Sequence, residues 1–194
     1  AVLAHALRRP GRPDTWRSSI GEILELVTRL EGHADNVAAS LFGGVVATAG
    51  GQVVRIPLGI DPAVVVWVPT FVTATDESRR ALAADVAFDR AVFNVGRTAL
   101  LVAALAAGDV TALRTACEDR LHQPTRLAAR PDAAAVLEAL LGAEEVLAAW
   151  LSGSGPTVAA LLDRDADAER LCWMLDPSGR CRVLGVADAG VHLC

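Results

Sequence analysis

"GIDPAVVVWVPT", residues 59–70, decides how the chain is divided. Gly59, Asp61 and Pro62 punctuate, and the run that follows reads as a fully apolar strand. A domain boundary is expected near Ile60 to Pro62, giving regions 1–61 and 62–194. Beyond the strand, apolar periodicity predicts helices over about 75–84, 87–107, 109–122 and 132–142, with Asp109 and Asp132 as caps. A strand near 146–151, the loop "SGSGPT", a strand at about 158–163, a helix over 166–175 and a last strand in "CRVLGVADAGVHL" complete the region. Helices against a small, mostly antiparallel sheet make it α+β.

Upstream, "AVLAHAL" reads as the end of a buried helix, and "RRPGRPDTWRSS" as an exposed connection broken by proline and glycine. Ile23, Leu24, Val27 and Leu30 recur at helical spacing, so a helix is expected over Ile20 to Leu30, stopped by Gly32. "NVAASLFGG" opens a short helix capped by Asp35 or Asn36. "GVVATAGGQVVRIPL" reads as two strands joined by a Gly-Gly turn.

Composition narrows the function classes. With 53% hydrophobic and 21% charged residues and a net charge of -5, the 194 residues read as a globular chain, and the mild acidity argues against a nucleic-acid binder. All 18 basic residues are Arg. Without Lys, these residues hold neither a Walker-type GxxxxGK[ST] site, nor the strand lysine of a protein kinase, nor a pyridoxal Schiff base. Cys117, Cys172, Cys181 and Cys194 show no CxxC or zinc-like spacing and read as reduced thiols of a cytosolic protein. "TALLVAALAAG" follows Arg97 and is too short to span a membrane. A cytoplasmic location without membrane or nucleic-acid partners is the expectation.

Four polar clusters interrupt this apolar chain. In "EGHADNVAASLFGG", residues 31–44, capping by Asp35 or Asn36 and a surface His33 account for the residues taken alone, and one wall of a site is the alternative. "TDESRR", residues 75–80, reads as a helix N-terminus, and "EDRLHQPTR", residues 118–126, as a solvated helix end with an exposed Arg. In "LSGSGPT", residues 151–157, glycines and hydroxyls suit either an anion or a tight strand-to-strand turn.

Taken together and in order, with "FNVGRTALLVAAL" between the second and third clusters, these motifs resemble homoserine kinases of the GHMP small-molecule kinase family over about residues 20–192. "EGHxDNVA" followed by "GG" is the more specific motif, whereas "LSGSGPT" is similar to a glycine-rich motif shared across the family. The resemblance implies the end of a GHMP N-terminal domain over 1–61, followed by a ferredoxin-like C-terminal α+β domain over 62–194. It implies ATP and Mg²⁺ as cofactors, L-homoserine as substrate in threonine biosynthesis, and a homodimer. Glu31 resembles the acidic residue that holds the metal, with Glu25 as second choice. His33, Asp35 and Asn36 match the segment lining the substrate site, with Asp35 and Asn36 orienting the reacting hydroxyl. Thr75 and Arg79 match a Thr-x-x-x-Arg pair whose Arg grips the substrate carboxylate, and Arg126 resembles a second such Arg. Ser152, Gly153, Ser154 and Gly155 would support the phosphate-binding loop. One departure stands out: nothing of the family's PxxxGLGSSA type occurs in the chain. "AVLAHAL" resembles the helix that follows that loop, so a C-terminal fragment of a longer kinase is the expectation. Another GHMP kinase and a non-catalytic binding module remain as alternatives.

Overall fold

The computed structural model describes residues 15–70, 82 and 85–191, with side chains from residue 20 onward. The chain forms two compact units, one running to Pro57 and resuming at Val186, the other spanning Leu58–Gly185.

The first unit holds α1 (Thr15–Glu31), α2 (Asp35–Phe42), β1 (Val45–Ala49) and β2 (Gln52–Ile56). Helix α1 begins at Thr15 instead of Ile20, because neither Gly nor Pro follows Pro13 until Gly21 and the helix extends back through polar residues. Its Ile23 is buried against Val37 and Leu41 of α2, whereas Leu30, expected on the apolar stripe, is exposed. Gly50 and Gly51 both take positive φ and join β1 to β2 in the two-residue hairpin read from the sequence. After Val186 the chain lies along this unit: Ala187 accepts the Gly44 N–H at 2.6 Å, and the Val191 N–H reaches Ser40 O at 3.1 Å. A Cβ on Gly43 or on Gly190 would meet backbone of the opposite segment. The last strand therefore stops at Leu184 and does not continue through the tail as expected.

The second unit holds β3 (Ala63–Pro69), α3 (Phe88–Ala107), α4 (Val110–Ala116), α5 (Gln123–Ala128), α6 (Pro131–Gly142), β4 (Val146–Leu151), β5 (Val158–Leu162), α7 (Ala168–Met174) and β6 (Gly179–Leu184). Its 4-stranded sheet has the order β4-β5-β3-β6, every pairing antiparallel. The strand that comes first in the chain thus lies between the third and the fourth, which is the ferredoxin-like arrangement expected. One face packs Val65, Trp67, Val158, Ala160 and Leu162 against Val136 and Leu140 of α6 and Leu171 of α7. Trp67 has no exposed surface and donates its indole N–H to Asp176 O at 2.9 Å, which satisfies the one polar atom it brings into the core.

Several local expectations are corrected. The segment read as one helix over 109–122 is α4, ending at Cys117, followed by an irregular stretch and a separate helix, α5. Asp109 does cap α4 through the Thr111 N–H, but Arg130, not Asp132, is the N-cap residue of α6. Ala34 likewise occupies the N-cap of α2, with Asp35 and Asn36 inside its first turn. Cys172 and Cys181 are not reduced thiols: they form a disulfide between α7 and β6, a pairing set by packing of the helix beside the strand that spacing alone does not disclose. Cys117 is free, and burial pushes its thiol up to about 11.

Helix α3 is long and apolar enough to cross a membrane by length and composition. Two of its polar side chains bond the segment that follows α4: Asn94 bonds Asp119 and Arg120, and Arg97 bonds Glu118.

Candidate active site

Two groups of the sequence-derived residues gather locally, one in each unit. At the α1–α2 turn, Gly32 takes φ 80° and its N–H reaches Thr28 O at 2.8 Å, closing α1 as expected. His33 follows with Nδ1 3.2 Å from Glu31 O. Asp35 Oδ1 accepts the Asn36 N–H at 2.7 Å, and Asn36 O accepts the Ser40 hydroxyl at 2.8 Å. Glu31, His33, Asp35 and Asn36 are all exposed, while Val37, Ala38 and Leu41 directly behind them are buried. The apolar run therefore anchors a turn whose polar side chains are exposed.

The residues suit a magnesium contact in a limited way. Among the described residues no group of three or more His, Cys, Asp or Glu is placed to hold a metal. Magnesium in a kinase needs only one or two carboxylates, because the nucleotide phosphates supply much of the rest. The Glu31 carboxylate meets no ion pair among the described residues, while Glu25 is engaged with Arg29 at 3.4 Å.

The second group centres on a residue that the sequence reading passed over. Asp119 has a side chain only 8% exposed. Its Oδ2 accepts the N–H groups of Leu121 at 3.1 Å and of His122 and Gln123 at 2.7 Å, while Oδ1 accepts the Asn94 amide at 2.6 Å. Burial opposes the charge of Asp119, but the backbone donors of Gln123 and His122, then Asn94 and His122, outweigh it and hold the carboxyl below its ordinary value. Asn94 Oδ1 in turn accepts the Arg120 N–H at 2.9 Å. The stretch expected to be a solvated helix end is a fixed polar knot. An Asp four residues before Gln123-Pro124, at the mouth of a new helix, was the available signal.

This knot sets α5 against the glycine-serine loop. Gln123 Oε1 accepts the Leu151 N–H at 2.6 Å, and its amide donates to Cys117 O at 3.3 Å. Arg126 donates from Nη1 to Gly153 O at 3.0 Å and lies 3.1 Å from His122 Nδ1. The loop closes on itself through Ser152 N–H to Thr157 O at 2.8 Å and Gly155 N–H to Ser152 O at 2.9 Å. Gly153 and Gly155 have positive φ, and Gly155 is followed by a cis bond to Pro156. Two of the loop's N–H groups are thereby spent on its own shape, which suits a supporting loop. Thr75 and Arg79 lie outside the described residues.

Residues 101–172 match the model of the GHMP kinases C-terminal domain. That stretch is a GHMP kinase C-terminal domain. The chain is 41% identical over 187 residues to a homoserine kinase of Thermus thermophilus, covering 93% of this chain and 60% of the relative. It is 46% identical over 143 residues to a homoserine kinase of Moorella thermoacetica, covering 72% of this chain and 48% of that protein. A crystal structure of homoserine kinase from Cytophaga hutchinsonii superposes with a TM-score of 0.81 at 26% identity, over 90% of this chain and 59% of that one. A mevalonate kinase structure from L. major, at 18% identity and a TM-score of 0.57, shares the fold. The chain therefore spans 60% or less of the length of these curated relatives. Arg126 and the 151–157 loop both fall inside the GHMP kinase C-terminal domain, and the α1–α2 turn lies upstream of it.

Proposed function

We propose that this chain contributes the substrate side and the phosphate-loop support of a homoserine kinase, which transfers the γ-phosphoryl group of ATP to the side-chain hydroxyl of L-homoserine and yields O-phospho-L-homoserine. The observation that carries the reading is the contact of Arg126 with Gly153 O. It sets a guanidinium, the group suited to a carboxylate, against the glycine-serine loop of a GHMP kinase domain.

In this reading Arg126 and Arg79 grip the homoserine carboxylate, and Thr75 belongs to the same Thr-x-x-x-Arg motif as Arg79. Asp35 and Asn36 orient the hydroxyl from a turn backed by buried Val37, Ala38 and Leu41, and His33 lines the substrate site beside them. Ser152 to Gly155 hold the shape of the loop that backs the phosphates. Glu31 offers one oxygen ligand to Mg²⁺, which when bound supplies charge neutralisation to the phosphates. Phosphoryl transfer asks mainly for positioning and charge neutralisation, and these residues supply the first. We further propose a cytoplasmic homodimer acting in threonine biosynthesis, without membrane or nucleic-acid partners.

Homoserine-dependent release of ADP from MgATP tests the reading, on this chain and on a protein extended by its upstream coding region. Turnover in the extended protein is expected. Silence of both with homoserine would end the substrate assignment. Full homoserine turnover after Arg79→Ala would instead favour a GHMP kinase that does not grip a carboxylate.

A further inference from the structure

Arg126 is read above as a substrate grip, but a long flexible cation grips a carboxylate well only when its guanidinium plane is fixed. Its Nη1 carries two hydrogens and meets two acceptors, Gly153 O at 3.0 Å and His122 Nδ1 at 3.1 Å. For His122 to accept at Nδ1, the ring proton must sit on Nε2. That atom faces Asp119 Oδ1 at 3.7 Å, and Asp119 is itself fixed by three backbone N–H groups and the Asn94 amide. The order of contact is thus carboxylate, imidazole, guanidinium, loop carbonyl.

We propose that His122 is a positioning residue for Arg126: Asp119 holds its imidazole so that the Nδ1 lone pair meets the guanidinium and sets the plane in which Arg126 receives the substrate carboxylate. The proposal rests on the homoserine kinase reading. It also implies a dependence on pH, because protonated His122 has no lone pair at Nδ1 and would turn an N–H toward a cation. Burial first, then Arg126, holds the His122 imidazole below its ordinary value against the opposing pull of Asp119, so the accepting form prevails at neutral pH. Among the described residues the charged groups facing it include Asp119 from the preceding stretch and Arg126 from α5; α3 brings Asn94, which does not titrate.

The test uses the upstream-extended protein, with ADP release measured against homoserine concentration. His122→Ala should raise KM for homoserine about tenfold and leave kcat within about twofold, the size expected for one charge-assisted contact that orients a binding group. His122→Asn, whose amide oxygen can stand in for Nδ1, should return KM to within about threefold of the original. In the unaltered protein KM should climb as pH falls below the ordinary imidazole range, and His122→Asn should lack that limb. Should Arg126→Ala raise KM while His122→Ala leaves it unchanged, the positioning role is overturned and the grip stands. An unchanged KM in Arg126→Ala would overturn the grip itself and the proposal with it. If His122→Ala fails to fold, the pH profile still decides: the same acidic limb in the unaltered protein and in His122→Asn overturns the proposal.

Discussion

The α1–α2 turn and the 118–126 segment are equally dense in polar residues, yet they are held in opposite ways. In the turn, among the described residues, Asp35 and Asn36 bond near neighbours in sequence, and their side chains stay exposed over a buried apolar floor. In the segment, Asp119 is nearly enclosed and gathers partners from α3 and from the start of α5. The first arrangement leaves side chains available to a ligand at little cost to the fold. The second makes polar side chains part of the fold, and so fixes what is attached to them. Activity and stability should therefore respond separately in the two places.

The largest effect is expected at Asp119. Replacing it with Ala leaves three backbone N–H groups and the Asn94 amide without their acceptor, which should cost about 3 kcal/mol or more in a denaturant titration of the extended protein. A loss well under about 1 kcal/mol would mean that water replaces the carboxylate, and the contrast drawn above would fail. Asn36→Ala should behave the other way. Homoserine turnover should fall about a hundredfold, as for loss of a group that orients the reacting atoms, with stability changed by about 0.5 kcal/mol or less. Thermal unfolding beside the kinetic assay checks both halves.

A smaller effect concerns acid. Asp119 has its carboxyl lowered in the fold, so its contribution to stability is present above the ordinary carboxylate value and is lost as pH falls through the lowered one. The unfolding midpoint should decline on that acid limb, and Asp119→Asn should flatten it. An equally steep limb in the variant would assign the effect to other carboxylates, such as Asp132, which Arg130 also holds low despite partial burial. The smallest change is expected for Glu25→Gln, which breaks an exposed pair with Arg29 and should alter stability by about 0.5 kcal/mol or less. If it abolished activity instead, Glu25 rather than Glu31 would be the metal contact.

How much of this was legible follows the same contrast. The sheet of the second unit could be read because β3, β4 and β5 are short apolar runs bounded by Gly, Pro and polar residues, a signal contained in each stretch. Helix starts were less legible: Thr15–Ser19 has no breaker but no apolar period either, so only propagation of the helix reveals it. Arg126 and the 152–155 loop were singled out through resemblance, and the structure brings Arg126 against Gly153. Asp119 could be read only in part: its place ahead of Gln123-Pro124 marks a helix start, but its bond to Asn94, 25 residues earlier, has no local signature. The Cys172–Cys181 pairing was hidden for the same reason, as the helix-to-strand packing that joins them has no local signature.

One consequence concerns the outer edge of the sheet. Strand β4 is its apolar boundary, reading VLAAWL, and an open edge of that composition invites a strand from another molecule. Both ends of this edge already have partners. Arg114 donates to Val146 O at 2.7 Å, and Gln123 accepts the Leu151 N–H at 2.6 Å. An incoming strand would have to dislodge a guanidinium at one end and a buried amide at the other before it could find register. The side chain that ties α5 to the loop is thus also a guard against unwanted self-association, and Gln123→Ala should show its loss as a rise in insoluble protein on mild heating.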